Sequence, residues 1–378
     1  MAAKFGVNVT ITAEAARPIT IQSITPIGIA GTYSTLETGL HFFGSVTDAK
    51  EKLKELAGAG TLIKAVQAIC DQAVETPIIF SVFEGGVDTN ATITAARTAI
   101  EAFKDAKAEF GYRPNLLIAP EFSDVDVIYN ALISAAEKLH ATAIIDLNSA
   151  SETLATTKAD NFGTRRAIIT DPYVKIWDTD ATPNAYAFYP QSPFIAGLIA
   201  RVDGESEYGW SDSYSNRTIN GIFGTSRNIN FELGEDCEAD RLRSNHISTI
   251  IRESGFRAWG GETTDQDSIW TDLARVRVFD RISEACQQGV LYAVDKKASE
   301  LFFAKYSVEQ LLQNLTGSKV LIGYNVYWDD KKNTQATVTA GKFYLRIEMQ
   351  NNPIVKVIEL DFVYKDSWSE NLLSSINK

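Results

Sequence analysis

Sulfur and imidazole are scarce in this chain. Three cysteines, Cys70, Cys237 and Cys286, are scattered over 378 residues. Such an odd, widely spaced set fits neither a disulfide framework nor a zinc site, and predicts buried thiols in a reducing compartment. Three histidines, His41, His140 and His246, stand far apart without HxxxH spacing, which favours structural roles over metal ligation. No GxxxxGK[ST] loop exists, so a P-loop phosphate site is excluded by motif. Gly58-Ala59-Gly60 lacks the third glycine of a dinucleotide loop and lies within a helical stretch rather than after a strand. No metal and no cofactor is therefore expected. No apolar run approaches the ~20 residues that span a bilayer. Met1 to Thr12 carry neither a basic nor an apolar leader region, so no direct membrane insertion is expected. A basic excess is also missing: 36 Lys and Arg face 48 Asp and Glu, a net charge of −12. That balance argues against a broad nucleic-acid footprint, which needs clustered cations.

What is present reads as a soluble globular chain with 45% hydrophobic residues, enough for more than one core. At the N-terminus Val7, Val9 and Ile11 alternate with polar residues, and Ile19 and Ile21 begin a second β-rich run after Pro18. From about residue 45 to 200 apolar strands alternate with amphipathic helices, which implies a mostly parallel sheet covered on both faces. The helices read as 46–71, broken at Gly58-Ala59-Gly60, then 92–110 closed by Gly111, 125–139 and 151–162. Residues 203–235, rich in Gly, Ser, Asn and Asp, mark a junction. Helices are predicted at 239–254, 275–294 and 298–315, and strands at 319–327, 341–350 and 354–364. Strands at a chain terminus need a sheet to join; an edge of the chain's own sheet is one answer.

A search for catalytic groups yields little. Glu121 and Asp124 lie in a strand-to-helix loop of the kind where α/β enzymes place ligand sites. The alternative for Asp124 is a helix N-terminal charge favoured by the macrodipole. Asp178 with Asp180 admits a metal only in principle, and Asp329-Asp330-Lys331-Lys332 reads as a solvated turn. No acid, base and nucleophile come together.

The remaining motifs carry a resemblance. Gly255-Phe256-Arg257-Ala258-Trp259-Gly260-Gly261-Glu262-Thr263 is similar to a characteristic stretch of contractile tail sheath proteins, in particular the short type of P2-like phages and R-type pyocins. Tyr292-Ala293-Val294-Asp295-Lys296 resembles another, as do Leu321-Ile322-Gly323-Tyr324-Asn325 and Ala340-Gly341-Lys342-Phe343-Tyr344. Ser192-Pro193-Phe194-Ile195-Ala196-Gly197 and Ser215-Asn216-Arg217-Thr218-Ile219-Asn220-Gly221-Ile222 fit upstream elements, and Gly6-Val7-Asn8-Val9 fits the opening strand. The likeness runs in order over essentially the whole chain and is densest from 192 to 345. There are two departures. Glu262 stands where the family usually has a basic residue, and a Pro-rich linker before the last strand is reduced to Pro353.

The resemblance implies a structural subunit, not an enzyme. It polymerises as stacked hexameric rings around a tail tube and contracts from a metastable extended state, driving the tube through a target envelope. It implies an N-terminal arm (1–27), an α/β outer domain (28–205), an α+β inner, tube-facing domain (206–352) and a C-terminal arm (353–378). The arms would exchange strands between subunits through Val7, Val9, Ile11, Ile19, Ile21, Ile358, Leu360, Phe362 and Tyr364. Expected partners are other copies of itself, the tail tube protein, and baseplate and tail terminator proteins. The expected setting is a virion tail or phage-tail-like particle, made and assembled in the bacterial cytoplasm. A tube contact is expected to be polar and charged, with Lys296, Lys297 and Lys305 as its residues. The competing readings are an α/β enzyme with a ligand site near Glu121 and Asp124, and a tail component that does not contract.

Overall fold

A computed structural model describes residues 18–178 and 183–377. The positions Val7, Val9, Ile11 and Asp180 lie outside the described residues. The first half of the fold runs β1 (Ile27–Gly31), β2 (Gly39–Phe43), α1 (Val46–Leu56), α2 (Thr61–Cys70), β3 (Ile78–Val82), α3 (Thr89–Ala102), α4 (Ala106–Phe110), β4 (Leu116–Ile118), α5 (Asp126–Leu139), β5 (Thr142–Asp146), α6 (Glu152–Ala159) and β6 (Ala167–Thr170). Local chemistry sets several of these ends. Ser45, Asp88 and Ser151 cap α1, α3 and α6 by accepting from the backbone N–H of Asp48, Ala91 and Leu154. Gly111 ends α4 in the left-handed region at φ 76°. Gly60 has a packing reason: at φ 155°, a Cβ there would sit 2.1 Å from the Thr32 carbonyl oxygen. The glycine serves packing between the β1 loop and α2.

The second half runs β7 (Val174–Asp178), β8 (Ala185–Tyr189), α7 (Ser192–Gly204), β9 (Gly224–Thr225), α8 (Glu238–Ser244), β10 (Ile247–Arg252), β11 (Phe256–Trp259), α9 (Leu273–Val290), α10 (Glu300–Gly317), β12 (Leu321–Trp328), α11 (Gln335–Thr339), β13 (Leu345–Asn351) and α12 (Ser369–Ile376). The main sheet has eight strands in the order β11-β10-β6-β5-β4-β1-β3-β2. Its six inner strands are parallel, and the edges β2 and β11 are antiparallel. Inner strands are buried on both faces, which is why they read as continuous apolar runs. Ile27, Ile29, Ile78, Phe80 and Ile118 point into one core, against α1, α2 and α7. Ala30, Ile79, Leu117, Ile145 and Ile169 point into the other, against α3, α5 and α6.

Two expectations are corrected here. The predicted helix over 239–254 is α8 followed by β10. The run Ile247-Ser248-Thr249-Ile250-Ile251 is rich in β-branched residues, which suit a pleated, buried strand better than a helix. His246, at φ 60°, makes the break between them. The division at 205/206 does not separate two sheets, because β10 and β11 from beyond it complete the main one. Within the subunit, Ile19 and Ile21 form no strand and pack against the cluster containing Val278, Ile282 and Leu312. Residues 354–364 likewise belong to no strand.

A second unit, α9, α10 and the antiparallel hairpin β12–β13, builds its own core from Val278, Ile282, Val308, Leu312, Leu321 and Val326, with Trp210 inserted. It is joined to the main unit by a buried charge cluster. Asp203, near the C-terminus of α7, is 1% exposed and receives both Arg277 and Arg281 of α9. Arg277 Nη1 donates to Asp203 Oδ1 at 2.9 Å. Arg281 also donates to the carbonyls of Gln22 (2.6 Å) and Ile24 (2.9 Å) and to Thr25 Oγ1 (2.6 Å). Thr25 Oγ1 donates in turn to Asp203. Burial pushes the Arg281 guanidinium down to about 10, against the pull of Asp203. Replacing Asp203 by Asn leaves two buried cations short of their counter-charge. Loss of about 3–5 kcal/mol is expected, read as a lower denaturation midpoint in urea; a shift below about 1 kcal/mol would show that the cluster is not a structural joint.

Candidate assembly surfaces

The crevice for an enzymatic reading lies where the strand order reverses, at the carboxyl ends of β1 and β4. Glu121 and Asp124 are there, both exposed. Partial desolvation holds the Glu121 carboxyl above its usual range, with Lys64 opposing. The neighbouring groups are committed to structure. Asp146 is buried and accepts from Ser192 N (2.8 Å), Thr170 Oγ1 (3.0 Å) and Ser123 Oγ (3.1 Å), so it caps α7. Burial pushes its carboxyl upward. Tyr33, just past β1, is buried, with its hydroxyl donating to Leu53 O and accepting from Gly58 N at 3.0 Å. Asp178 pairs with Lys64 at 2.8 Å. The histidines are dispersed: His41 bonds Glu37 O (2.7 Å), His140 faces Arg166 (3.2 Å), and His246 makes the α8–β10 turn. Among the described residues no group of three or more His, Cys, Asp or Glu is placed to hold a metal. All three cysteines are free thiols.

The C-terminal arm is a different kind of surface. Residues 352–365 belong to no strand, and from Val357 onward their side chains stand in solvent. Val357 is 76% exposed, Leu360 73% and Phe362 88%, with Ile358 and Tyr364 similarly open. Alternation places Val357, Phe362 and Tyr364 among apolar side chains on both faces of an extended segment, which no single-faced sheet in this chain covers. After it comes α12, which sequence reading missed. Its Leu372, Leu373 and Ile376, with Trp368 just before it, are all more than half exposed.

Beside the root of this arm lies the β12–β13 hairpin. Leu345, Ile347 and Met349 turn toward α10 and the second core, while Arg346, Glu348 and Gln350 face water. Both outer edges of this two-stranded sheet carry backbone groups with no strand partner among the described residues. Two-stranded sheets are marginal alone. The hairpin therefore combines a supported inner face with edges open to addition.

The lysines expected at a tube contact do not act alike. Lys296 and Lys297 are exposed in the turn before α10, whereas Lys305 is on the helix and pairs with Glu309 at 3.1 Å. Around them stand Leu291, Val294, Phe302 and Tyr306, all exposed. This face is mixed rather than purely polar. A second exposed face is aromatic: Trp177 and Tyr186 on β7 and β8 meet edge to face, Phe188 and Phe223 lie alongside, and Lys175 sits 4.2 Å from the Tyr186 ring centre. The alternation Tyr186, Phe188 in β8 was the sequence signal for it.

These surfaces can be set beside known proteins. A model of the phage tail sheath protein central domain matches residues 86–264. The chain is 33% identical over 312 residues to a prophage major tail sheath protein of Pseudomonas aeruginosa (strain UCBPP-PA14), covering 82% of this chain and 79% of that one. It is 25% identical to the tail sheath protein of Escherichia phage P2, over 98% of each chain. Among solved structures, its fold is similar to the anti-feeding prophage helical sheath in the contracted state, with TM-score 0.71, 20% identity, and coverage of 97% of this chain and 100% of that one. It is equally similar to the sheath complex of an extracellular contractile injection system in the contracted state, with TM-score 0.71, 14% identity, and 97% and 99% coverage. A one-third identity sustained over four-fifths of the chain, with an open-edged hairpin and an unpaired terminal arm in place, leaves one conclusion: the chain belongs to the phage tail sheath protein family.

Proposed function

We propose that this chain is the structural subunit of a contractile tail sheath. It assembles as stacked hexameric rings around a tail tube, holds an extended metastable lattice, and shortens to drive the tube through an envelope. The observation that carries this reading is the C-terminal arm, an extended apolar segment with no strand partner among the described residues, beside a hairpin with open edges. Strand addition supplies what both lack: main-chain hydrogen bonds for the edge and a cover for alternate side chains. Ile358, Leu360, Phe362 and Tyr364 would be the arm's paired residues. On the N-terminal side the exchanging part is restricted to residues before Pro18, since Ile19 and Ile21 are held in their own subunit.

The relatives' standing as tail sheath proteins supports a non-enzymatic role, as does the commitment of Asp146 and Tyr33 to structure. The main unit, with its aromatic face, would lie outward. The second unit, α9, α10 and the hairpin, would line the tube. Tail tube, baseplate and terminator proteins are the partners this reading requires, in a virion tail or tail-like particle assembled in the bacterial cytoplasm.

Two experiments test it. Full-length protein should form hollow striated cylinders in negative stain. Chains lacking either 1–17 or 353–378 should keep the full-length circular dichroism spectrum and remain as discrete particles. Cylinders from both truncated chains would end the arm-exchange reading. For the tube contact, exposed ion pairs are worth only about 0–1 kcal/mol each and release under salt, which suits a contact that must be lost in the stroke. Lys296→Glu with Lys297→Glu should weaken assembly on tubes while sparing tube-free contracted polymers. Equal assembly on tubes would remove these lysines from the contact.

A further inference from the structure

The C-terminal arm leaves its subunit at a defined point. Asn351 Oδ1 accepts from Arg275 Nε at 3.0 Å, and Asn352 donates to the carbonyls of Val320 (2.9 Å) and Lys319 (3.0 Å). Ile354 is half-buried. Lys356 Nζ then donates to Glu262 Oε1 at 2.6 Å. From Val357 onward every described residue is exposed. Lys356 is thus the last residue whose side chain ties the arm to the body.

Its socket is rigid. Glu262 is 7% exposed and fixed from behind by Arg243, whose Nε and Nη2 lie 3.1 Å from its carboxylate oxygens. The N–H of Gly261 donates to Glu262 Oε2 at 2.8 Å. Arg243 itself packs over the Trp259 ring at 4.9 Å. Glu262 and Asp272 form a backbone bridge, and Asp272 caps α9. The socket therefore belongs at once to the edge of the main sheet and to the start of the second unit. The lysine adds a cation to it. Glu262 and Asp272 are both buried; Arg243 answers the first, while Asp272 accepts from the Ala274 N–H at 3.0 Å and has Arg275 nearby. Arg243, with Lys356 added, lowers the Glu262 carboxyl against its burial, and Lys356, with the Ala274 N–H and Arg275, opposes the burial-driven rise at Asp272.

We propose that the Lys356–Glu262 contact is the pivot of the C-terminal arm: the chain moves with its own subunit as far as Lys356, and with the copy it pairs to from Val357 onward. Only its consequence in the polymer rests on the arm-exchange reading; the latch itself is a property of the single chain. The contact sets the arm's working length. Residues 357–365 span about 30 Å when extended, and releasing the latch would add residues 353–356, about 13 Å more. A longer tether relaxes the spacing it imposes between the subunits it joins.

Trypsin reads the latch directly, because both Lys356 and Lys365 are cleavage sites in one arm. In the full-length chain, kept dilute and unpolymerised, cleavage after Lys365 should be fast and cleavage after Lys356 slow. Glu262→Gln should raise the Lys356 rate relative to Lys365 by about tenfold, as expected for losing a charge-assisted hydrogen bond. Lys356→Arg should stay slow, and uncut α9 and α10 show that the fold persists. Equal rates at the two sites in the unaltered chain, or no change with Glu262→Gln, overturns the latch whatever the arm does in a polymer. The pivot is read in contracted polymers of Lys356→Met, whose helical rise or twist should differ from that of the unaltered chain. An unchanged lattice overturns the pivot while leaving arm exchange intact.

Discussion

A single buried carboxylate holds three parts of this subunit in register. Asp203 reaches from α7 in the main unit to two arginines of α9 in the second, and through Thr25 and Arg281 to the segment that enters β1. Two guanidinium groups and one carboxylate would leave an uncompensated cation in a dry site. Glu284 adds negative charge near Arg281, and carbonyl oxygens of Gln22 and Ile24, on the N-terminal segment itself, accept its remaining hydrogen bonds. The hydrogen bonding of the joint is therefore complete only when residues 22–25 are seated. Ile19 adds a steric tie, since it fills the space above Gly289 where a Cβ would lie 2.4 Å away.

This arrangement separates stiffness from exchange. Apolar cores on both faces of the main sheet, and a third around α9 and α10, make each unit hard to deform. Buried ion pairs fix the angle between units because their geometry is directional, where an apolar seam would tolerate sliding. Among the described residues, what stands outside these cores is the arm beyond Lys356. A polymer of such subunits can change lattice without changing subunit, provided that the ends rotate about fixed exits.

Much of the α/β half was legible because its signals are local. Ser45, Asp88 and Gly111 mark helix ends, and the apolar runs at Ile78–Val82 and Thr142–Asp146 are those of strands buried twice over. The failures came where a decision depended on partners distant in sequence. Residues 247–251 follow a real helix and continue its apolar content, so the helix was extended through them; only pairing with β6 and β11 makes them strand. Ile19 and Ile21 alternate like a strand, yet alternation does not distinguish a strand from an extended strap laid on a helix. Ile358, Leu360, Phe362 and Tyr364 also alternate, and there the chain supplies no sheet at all. Lys356 and Glu262 stand 94 residues apart, a pairing no spacing rule reveals.

The mixed face at the start of α10 follows from the same division of labour. A tube contact must be strong enough to register each subunit and weak enough to be lost together in one stroke. If the α10 face meets the tube as proposed, Leu291, Val294, Phe302 and Tyr306 would supply area, at roughly 25 cal/mol per Å² removed from water. A contact of that kind alone would resist separation in proportion to its size and would slide along the tube without preferred register. In the proposed sheath, Lys296 and Lys297 would add direction at little cost to release, because water and salt replace exposed partners readily. Lys305 also pairs with Glu309 on its own helix, a part-exposed contact of the same releasable kind. In the proposed sheath, holding is then the sum of many weak contacts along the tube. Their simultaneous loss is driven by the lattice, which stays connected through arms whose exits are fixed.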